Sequence, residues 1–327
     1  MVKRENKKWN KIIIVTGGMG FIGSNYLNIC VKRYPDYLFL NIDSLTKAAN
    51  IKNVLVSDSD NYTFIETDIR EYSKLEKIFK KYKPTDIINF AAESHVDVSI
   101  KNPQLFFETN IIGTHNLLRL GRESAINRFF QISTDEVYGS LDHNSPSSVE
   151  TNVLAPNSPY SASKASAEYI VRSYNKTFGM NTLTSRCSNN YGPNQDKTKL
   201  IPRFIDLLLK NKKVPLYSDG KNIRDWIYVT DHVEAINLIF HKGKSGEVYN
   251  IGAGSKSEKT NLEITKVILG LLDKNESFIE YVTDRPGHDF RYSINSNKIK
   301  KELGWKPLVT FEQGIKNTLD FYTTQQT

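Results

Sequence analysis

Ile12-Ile13-Ile14-Val15, an unbroken apolar run, is followed at once by Gly17, Gly20 and Gly23. Continuous rather than alternating apolarity marks a strand buried on both faces, as in a parallel sheet covered by helices. Glycines where such a strand turns into a helix narrow the choice of fold further. The first permits the tight turn, the second lets backbone amides approach a pyrophosphate, and the third lets the helix pack closely on the strand. The spacing in Thr16-Gly17-Gly18-Met19-Gly20-Phe21-Ile22-Gly23 departs from the commoner G-x-G-x-x-G, but the strand before and helix after are the context a dinucleotide site requires.

The alternation continues downstream. Strand-like runs at Leu38–Asp43, Thr63–Glu66, Asp86–Phe90, Arg128–Ser133 and Asn181–Arg186 are separated by helical stretches at Phe21–Lys32, Ser73–Tyr82, Pro103–Arg122 and Ala165–Phe178. This predicts an α/β fold, a doubly wound parallel sheet of the Rossmann type. After Arg186 the rhythm breaks at Gly192-Pro193-Asn194-Gln195. Helical patterns then recur at Leu200–Lys210, Glu263–Leu272, Ser296–Leu303 and Phe311–Tyr322, joined by turns such as Asp284-Arg285-Pro286-Gly287. A second, smaller mixed α/β lobe over the sheet's carboxyl edge is expected. The 327 residues divide as 1–186 and 187–327, with a segment near 224–251 returning to the first domain.

Charge and cysteine usage exclude several classes. The formal charge is +8, but Lys7, Lys80, Lys101, Lys212, Lys256 and Lys300 are scattered, which reads as a basic surface attracting phosphate-bearing small molecules rather than nucleic acid. Cys30 and Cys187 belong to no CxxC or His-rich cluster, so free thiols in a reducing compartment are expected and a metal site is not. Ile12–Val15 is too short for a signal core or a membrane span, so a soluble cytoplasmic protein is expected. The long helices around Pro103–Arg122 and Tyr160–Phe178 are of the kind that carries a dimer interface, and a homodimer is expected.

The candidate cofactor residues follow the strand ends. Asp43 closes the second strand, where a carboxylate accepts both adenosine ribose hydroxyls and repels a 2'-phosphate, favouring NAD over NADP. A turn or helix-capping aspartate would read the same. Asp68-Ile69 follows the third strand, within reach of adenine, and Ala91-Ala92 after the fourth are small enough for the cofactor to pass. Tyr160 and Lys164 stand at i and i+4, on one face of a helix. The ammonium lowers the phenol's pKa, so that the phenolate can take a hydroxyl proton while hydride leaves. Ser133-Thr134 ends the fifth strand, and Asp135-Glu136 follows, where active sites of such sheets lie. Adjacent carboxyls in a partly buried cleft do not ionise equally, so one can serve as acid and the other as base.

These strings, with Ala91-Ala92-Glu93-Ser94-His95-Val96-Asp97, Ser133-Thr134-Asp135-Glu136-Val137-Tyr138-Gly139, Ser188-Asn189-Asn190-Tyr191-Gly192-Pro193, Lys199-Leu200-Ile201-Pro202, Arg224-Asp225-Trp226 and Arg285-Pro286-Gly287-His288-Asp289, resemble the extended short-chain dehydrogenase/reductases. Within them the chain is similar to the dTDP-glucose 4,6-dehydratases along essentially its whole length. The Thr-Asp-Glu triplet is the most specific match, since epimerases and decarboxylases of the superfamily generally lack the aspartate.

The resemblance implies a lyase cycle on a bound hexose. Tyr160, helped by Thr134, deprotonates the hydroxyl at sugar carbon 4, with hydride lent to NAD. Glu136 then removes the hydrogen at carbon 5 while Asp135 protonates the departing hydroxyl at carbon 6, and hydride is returned to carbon 6 with reprotonation at carbon 5. The product is a 4-keto-6-deoxy sugar nucleotide. Further implied cofactor contacts are Phe21, Ile22, Ser44, Leu45, Thr46, Phe90, Ser94, Thr109 and Ser133. Ser94, Thr134, Asn189, Lys199, Leu200, Ile201, Pro202, Arg224, Asn261, Arg285 and His288 are implied around the diphosphate and its sugars, with Pro215 and Tyr217 near the pyrimidine. Lys47, Ala49, Val98 and Phe290 depart from the usual bacterial pattern, which leaves UDP-glucose as well as dTDP-glucose open as substrate. Two other classes compete. A nucleotide-sugar 4-epimerase needs Tyr160 and Lys164 but not the acid pair, and a non-catalytic NAD-binding sensor would normally have lost one of these residues.

Overall fold

The computed structural model describes residues 8–284 and 286–324. Twelve strands occur among them: β1 Lys11–Thr16, β2 Tyr37–Asp43, β3 Tyr62–Glu66, β4 Asp86–Asn89, β5 Arg128–Thr134, β6 Thr182–Cys187, β7 Asn189–Tyr191, β8 Val214–Tyr217, β9 Ile223–Tyr228, β10 Val248–Ile251, β11 Glu258–Thr260 and β12 Ile279–Val282. The helices are α1 Phe21–Arg33, α2 Tyr72–Tyr82, α3 Val96–Lys101, α4 Pro103–Phe106, α5 Thr114–Glu123, α6 Pro159–Phe178, α7 Leu200–Leu209, α8 Val229–Lys242, α9 Asn261–Leu271, α10 Asn297–Leu303 and α11 Phe311–Thr324. None among the described residues is long and apolar enough to cross a membrane.

A seven-stranded parallel sheet runs in the order β10-β6-β5-β4-β1-β2-β3. Its direction of progress reverses beside β1, which pairs with β2 on one side (Ile14 opposite Leu40) and β4 on the other (Ile14 opposite Ile87). Such a switch opens a crevice at the strands' carboxyl ends. The inner strands are apolar on both faces, so helices must cover both. Ile14, Leu40, Ile87 and Phe129 meet Leu75, Ile78 and Phe79 of α2, Leu117 and Leu120 of α5, and Val171 of α6 in one core. Each fully buried side chain of that size contributes about 1.5–3 kcal/mol.

The expected single helix over Pro103–Arg122 has a break in its hydrogen-bond pattern. Pro103 starts α4 at a position where a missing N–H costs nothing, and residues Phe107–Gly113 then form a π-helical stretch before α5 resumes. A 3.6-residue reading cannot register that extra residue. The Tyr160–Lys164 string lies inside α6, which begins at Pro159 rather than at Ala165.

The chain falls into two compact units. The first runs to Ser133 and includes Pro159–Ser185 and Ile239–Val248; the second comprises Thr134–Ser158, Arg186–Leu238 and the described residues from Tyr249 onward. The division cuts β5 between Ser133 and Thr134. The second unit holds a three-stranded sheet, order β11-β9-β7, and a parallel pair, β12-β8. Its core joins Ile201, Phe204, Ile205 and Leu208 of α7 to Trp226, Ile264, Ile268, Phe311 and Ile315. Helix α9 is started by a reciprocal capping box: Thr260 Oγ1 accepts from Glu263 N, and Glu263 accepts from Thr260 N.

Candidate functional site

In the first unit the glycine turn is built for close approach. Gly17 has φ +69°, and a Cβ there would stand 2.7 Å from Ala91 N, while one on Gly23 would collide with the Gly17 carbonyl. No side chain caps the N-terminus of α1. This cradle, whose glycines leave backbone amides bare at a helix start, fits a dinucleotide's pyrophosphate. Across the neighbouring strand ends runs a buried polar row. Thr16 Oγ1 donates to Asn89 Oδ1 (2.5 Å), Asn89 Nδ2 donates to Gln131 Oε1 (2.8 Å), and Ala91 N donates back to Thr16 Oγ1 (3.2 Å).

Asp43 is buried, and its carboxylate fastens the turn: Oδ2 accepts from Met19 N and Oδ1 from Leu45 N, both at 2.9 Å. Burial raises its pKa, partly offset by the amides of Met19, Leu45 and Ser44. Each oxygen keeps a lone pair for a further donor. Leu45 itself adopts φ +52°. Burial also pushes Asp68 up, but its hydrogen bonds from Arg70 outweigh that and hold it below the usual carboxylate range. Ile69 is a core residue, buried against Gly113. The Phe90 ring lies 5.4 Å from that of Tyr26, and Ala91, Ala92, Ser94 and Thr109 are half-buried.

Tyr160 and Lys164 are both buried on α6. Lys164 Nζ donates to the Ile132 carbonyl at 2.6 Å, which ties α6 to β5 one residue before Ser133. The Tyr160 ring sits edge-on to Phe106, centroids 6.3 Å apart. Asn110 escaped the sequence reading. It is buried in the π-helical stretch, donates to Ser163 Oγ (2.8 Å) and Glu93 O (3.0 Å), and accepts from Glu93 N (2.9 Å). Ser163 Oγ in turn donates to the Tyr160 carbonyl at 2.6 Å. Asn110 thus binds the segment after β4 to the first turns of α6. Only the tertiary fold reveals that role.

In the second unit a single 3-10 turn, Asp135–Tyr138, follows β5. Thr134 Oγ1 accepts from Glu136 N (3.2 Å) and donates to Asp135 Oδ1 (3.3 Å). Asp135 is 3% exposed and its Oδ2 meets no hydrogen-bond partner among the described residues, whereas Glu136 is half-buried. Burial above all, then the negative charges of Glu136 and Asp225, raise the Asp135 pKa well above the usual carboxylate range. Burial therefore favours the neutral form of Asp135, while Glu136 lies nearer water. Beneath the turn, Tyr138 donates to Asn250 Oδ1 (2.8 Å) and accepts from Arg186 Nη1 (2.7 Å).

Of the candidate substrate residues, Asn189 is half-buried at the start of β7 and Asn261 is buried at the start of α9. Lys199 precedes α7 and Leu200 opens it, Ile201 turns into the apolar core, and Pro202 is buried. On β8 the alternation puts Pro215 and Tyr217 on the outer face. His288 Nδ1 lies 2.7 Å from Asp284 Oδ1, and its ring is edge-on to Tyr217 at 6.0 Å. Arg224 is buried: Nη2 donates to the Asp289 carbonyl (2.8 Å), Nη1 to those of Ile223 (2.7 Å) and Phe290 (3.1 Å), and its guanidinium lies 4.3 Å from the Tyr292 ring centroid. Arg285 lies outside the described residues.

Comparison with known proteins agrees over nearly the whole chain. The family model for GDP-mannose 4,6-dehydratase matches residues 14–318. A dTDP-glucose 4,6-dehydratase of Salmonella typhimurium is 46% identical over 335 residues, covering 95% of this chain and 92% of the relative. The dTDP-glucose 4,6-dehydratase of Streptomyces venezuelae, solved with NAD bound, superposes with a TM-score of 0.92 at 42% identity, covering 96% of this chain and 98% of that one. The Bacillus anthracis enzyme of the same name, also solved in complex with NAD, gives 0.89 at 46% identity and 97% coverage of both chains. With the glycine turn, the Tyr160–Lys164 helix face and the Thr134-Asp135-Glu136 turn all present, the chain belongs to the family that the GDP-mannose 4,6-dehydratase model describes, among its dTDP-glucose 4,6-dehydratases.

Proposed function

We propose that this protein is an NAD-dependent nucleotide-sugar 4,6-dehydratase that converts dTDP-glucose to the 4-keto-6-deoxy sugar nucleotide and water. The observation that carries the reading is the inequality of the two carboxyls after Thr134, one buried with an oxygen that meets no hydrogen-bond partner among the described residues, the other half-buried. A 4-epimerase has no use for it.

Gly17, Gly20 and Gly23 with Phe21 and Ile22 would hold the pyrophosphate of NAD, Asp43 to Thr46 the adenosine ribose, and Asp68 and Ile69 the adenine; Phe90 to Ala92, Ser94, Thr109 and Ser133 would line the rest. Bound there, NAD would supply the acceptor for the hydride of sugar carbon 4 and the donor of hydride to carbon 6. The chain's own groups move the protons. Tyr160 Oη accepts the proton of the carbon 4 hydroxyl, with Lys164 Nζ favouring the phenolate and Thr134 Oγ1 hydrogen-bonding the same sugar oxygen. The resulting ketone acidifies carbon 5, whose proton passes to Glu136 and is given back to carbon 5 once hydride has reached carbon 6. Asp135 protonates the carbon 6 hydroxyl as it leaves, a task for the acid that burial keeps neutral. Asn189, Lys199 to Pro202, Arg224, Asn261, Arg285 and His288 would orient the diphosphate, and Pro215 and Tyr217 the base.

Separate incubation with dTDP-, UDP-, CDP- and GDP-glucose, followed by mass identification of products, tests both chemistry and base. Loss of the mass of one water from dTDP-glucose is expected; carbon 4 inversion without water loss would make the protein an epimerase. We also propose a cytoplasmic homodimer. Two buried free thiols support the compartment, and exposed Val98, Ile100, Phe107 and Ile112 on neighbouring helical stretches support the association. Light scattering that returns a monomer mass would remove the dimer.

A further inference from the structure

We infer that Tyr138 is a positioning residue for Asp135 and Glu136, its phenol setting the direction in which the acidic turn presents both carboxyls. This role rests on the dehydratase reading. Tyr138 closes the 3-10 turn and is buried. Its hydroxyl donates to Asn250 Oδ1 (2.8 Å) and accepts from Arg186 Nη1 (2.7 Å), and the Arg186 guanidinium lies 4.7 Å from its ring centroid.

The polarity of these bonds has one solution. A guanidinium carries donors alone, so the phenol must accept from Arg186 and direct its own proton to Asn250. Asn250 Nδ2 faces the carbonyls of Ser148 (2.9 Å) and Asn295 (3.4 Å), so reversing the amide would set acceptor against acceptor. Burial pushes the phenol up to about 12 against the pull of Arg186, and the hydroxyl keeps the proton it donates. The anchors are themselves fixed. Arg186 lies on β6 and Asn250 on β10, both buried, and Asn250 N donates to Glu150 Oε1 at 2.9 Å.

The turn's backbone is held at either end. Thr134 Oγ1 accepts from Glu136 N at the start, and Ala155 N donates to Val137 O (3.1 Å) near the finish. Gly139 follows with φ +81°, where a Cβ would collide with the Ala155 carbonyl. Successive side chains step by about 120° round a 3-10 helix. Pinning Tyr138 to β6 and β10 therefore fixes the bearing of Asp135 and Glu136 as well. Without the hydroxyl, Asn250 Oδ1 and Arg186 Nη1 both lose this partner in a buried place, and the turn and its anchors shift. Elimination needs both carboxyls aimed at once, at carbons 5 and 6. Oxidation at carbon 4 uses neither of them.

Tyr138→Phe tests this in a single turnover with dTDP-glucose, following reduced nicotinamide by absorbance and products by rapid-quench mass. Water loss should slow by about 10- to 100-fold. Oxidation at carbon 4 should stay within about twofold, so that reduced cofactor and the 4-keto hexose accumulate. Tyr322→Phe deletes another phenol hydroxyl of the same unit, the one bonded to the Gln195 carbonyl, and should disturb neither rate. Water loss in Y138F as fast as in the unaltered protein overturns the inference. So does an equal slowing of both steps, which a packing role alone would give, or the same selective slowing in Y322F. Should Y138F not fold, Asn250→Ala decides on the same two rates: slowed elimination with unslowed oxidation supports the anchor, and an unchanged ratio refutes it. If the unaltered protein dehydrates no sugar nucleotide, the dehydratase reading falls and this role falls with it; normal turnover with an unchanged ratio in Y138F removes the role alone.

Discussion

The two units treat buried ionisable side chains in opposite ways. Around Tyr160 and Lys164 the polar side chains are tied into a chain of short bonds: Lys164 to Ile132 O, Asn110 to Ser163, Ser163 to Tyr160 O. Among the described residues, the ionisable side chains with an orphaned buried atom all lie in the second unit, at Asp135 Oδ2, Asp225 Oδ1 and His232 Nε2. A satisfied network rigidifies and orients, while an unsatisfied carboxyl or imidazole holds its neutral form at a cost in stability. Orientation suits the unit that would seat a cofactor, and retained protons suit the one that would expel water.

The sharpest way to break this contrast is at the phenol. Tyr160→Phe should lower formation of the 4-keto product by about 10²–10⁴-fold, read as absorbance in alkali, with its melting temperature nearly unchanged because the ring stays packed on Phe106. A rate within tenfold of the unaltered protein would leave the satisfied network without a catalytic purpose. On the other side, Glu136→Gln should retain NAD and the carbon 4 oxidation while losing about 100-fold in ketone product. Undiminished product would remove Glu136 as the base.

A third test concerns stability alone. His232 is fully buried with Nδ1 2.8 Å from Asn190 Oδ1, and burial depresses its pKa from 6.5 to about 3. The unfolded chain therefore binds a proton that the folded chain refuses throughout that interval. Stability attributable to this group is complete above about pH 6.5 and declines as pH falls toward 3, by about 1.4 kcal/mol per pH unit. Urea midpoints should show that slope, and His232→Gln should flatten it; an equal slope in the variant would deny the buried neutral imidazole. The smallest effect belongs to a site distant from any chemistry: Thr260→Ala removes the α9 cap and should cost about 1 kcal/mol in urea unfolding.

Features encoded by local spacing were legible in the sequence. The strand–glycine–helix junction at Val15 to Gly23 and the four-residue step from Tyr160 to Lys164 need only neighbours to be recognised, and the structure sets them in β1–α1 and on α6. The small strands Asn189–Tyr191, Val214–Tyr217, Glu258–Thr260 and Ile279–Val282 were not read, because three or four residues are too few for a period of two to declare itself. Asn110 was invisible as a participant for a different reason. Its partners are Glu93 and Ser163, separations that only folding closes. Arg224 was named from the sequence as a diphosphate contact, but its bonds to the carbonyls of Asp289 and Phe290, about 65 residues downstream, were not legible there.

The widened turn at Phe107–Gly113 makes one residue indispensable without regard to which residue it is. Removing any one position there would restore the regular winding and swing everything beyond it by about 100° relative to everything before. Asn110 would lose its bearing on Ser163 just as Leu117 and Leu120 left the core. Clamp and apolar stripe are thereby locked in phase by the number of residues in this segment, a constraint separate from the side-chain contacts of Asn110 and Gly113 within it.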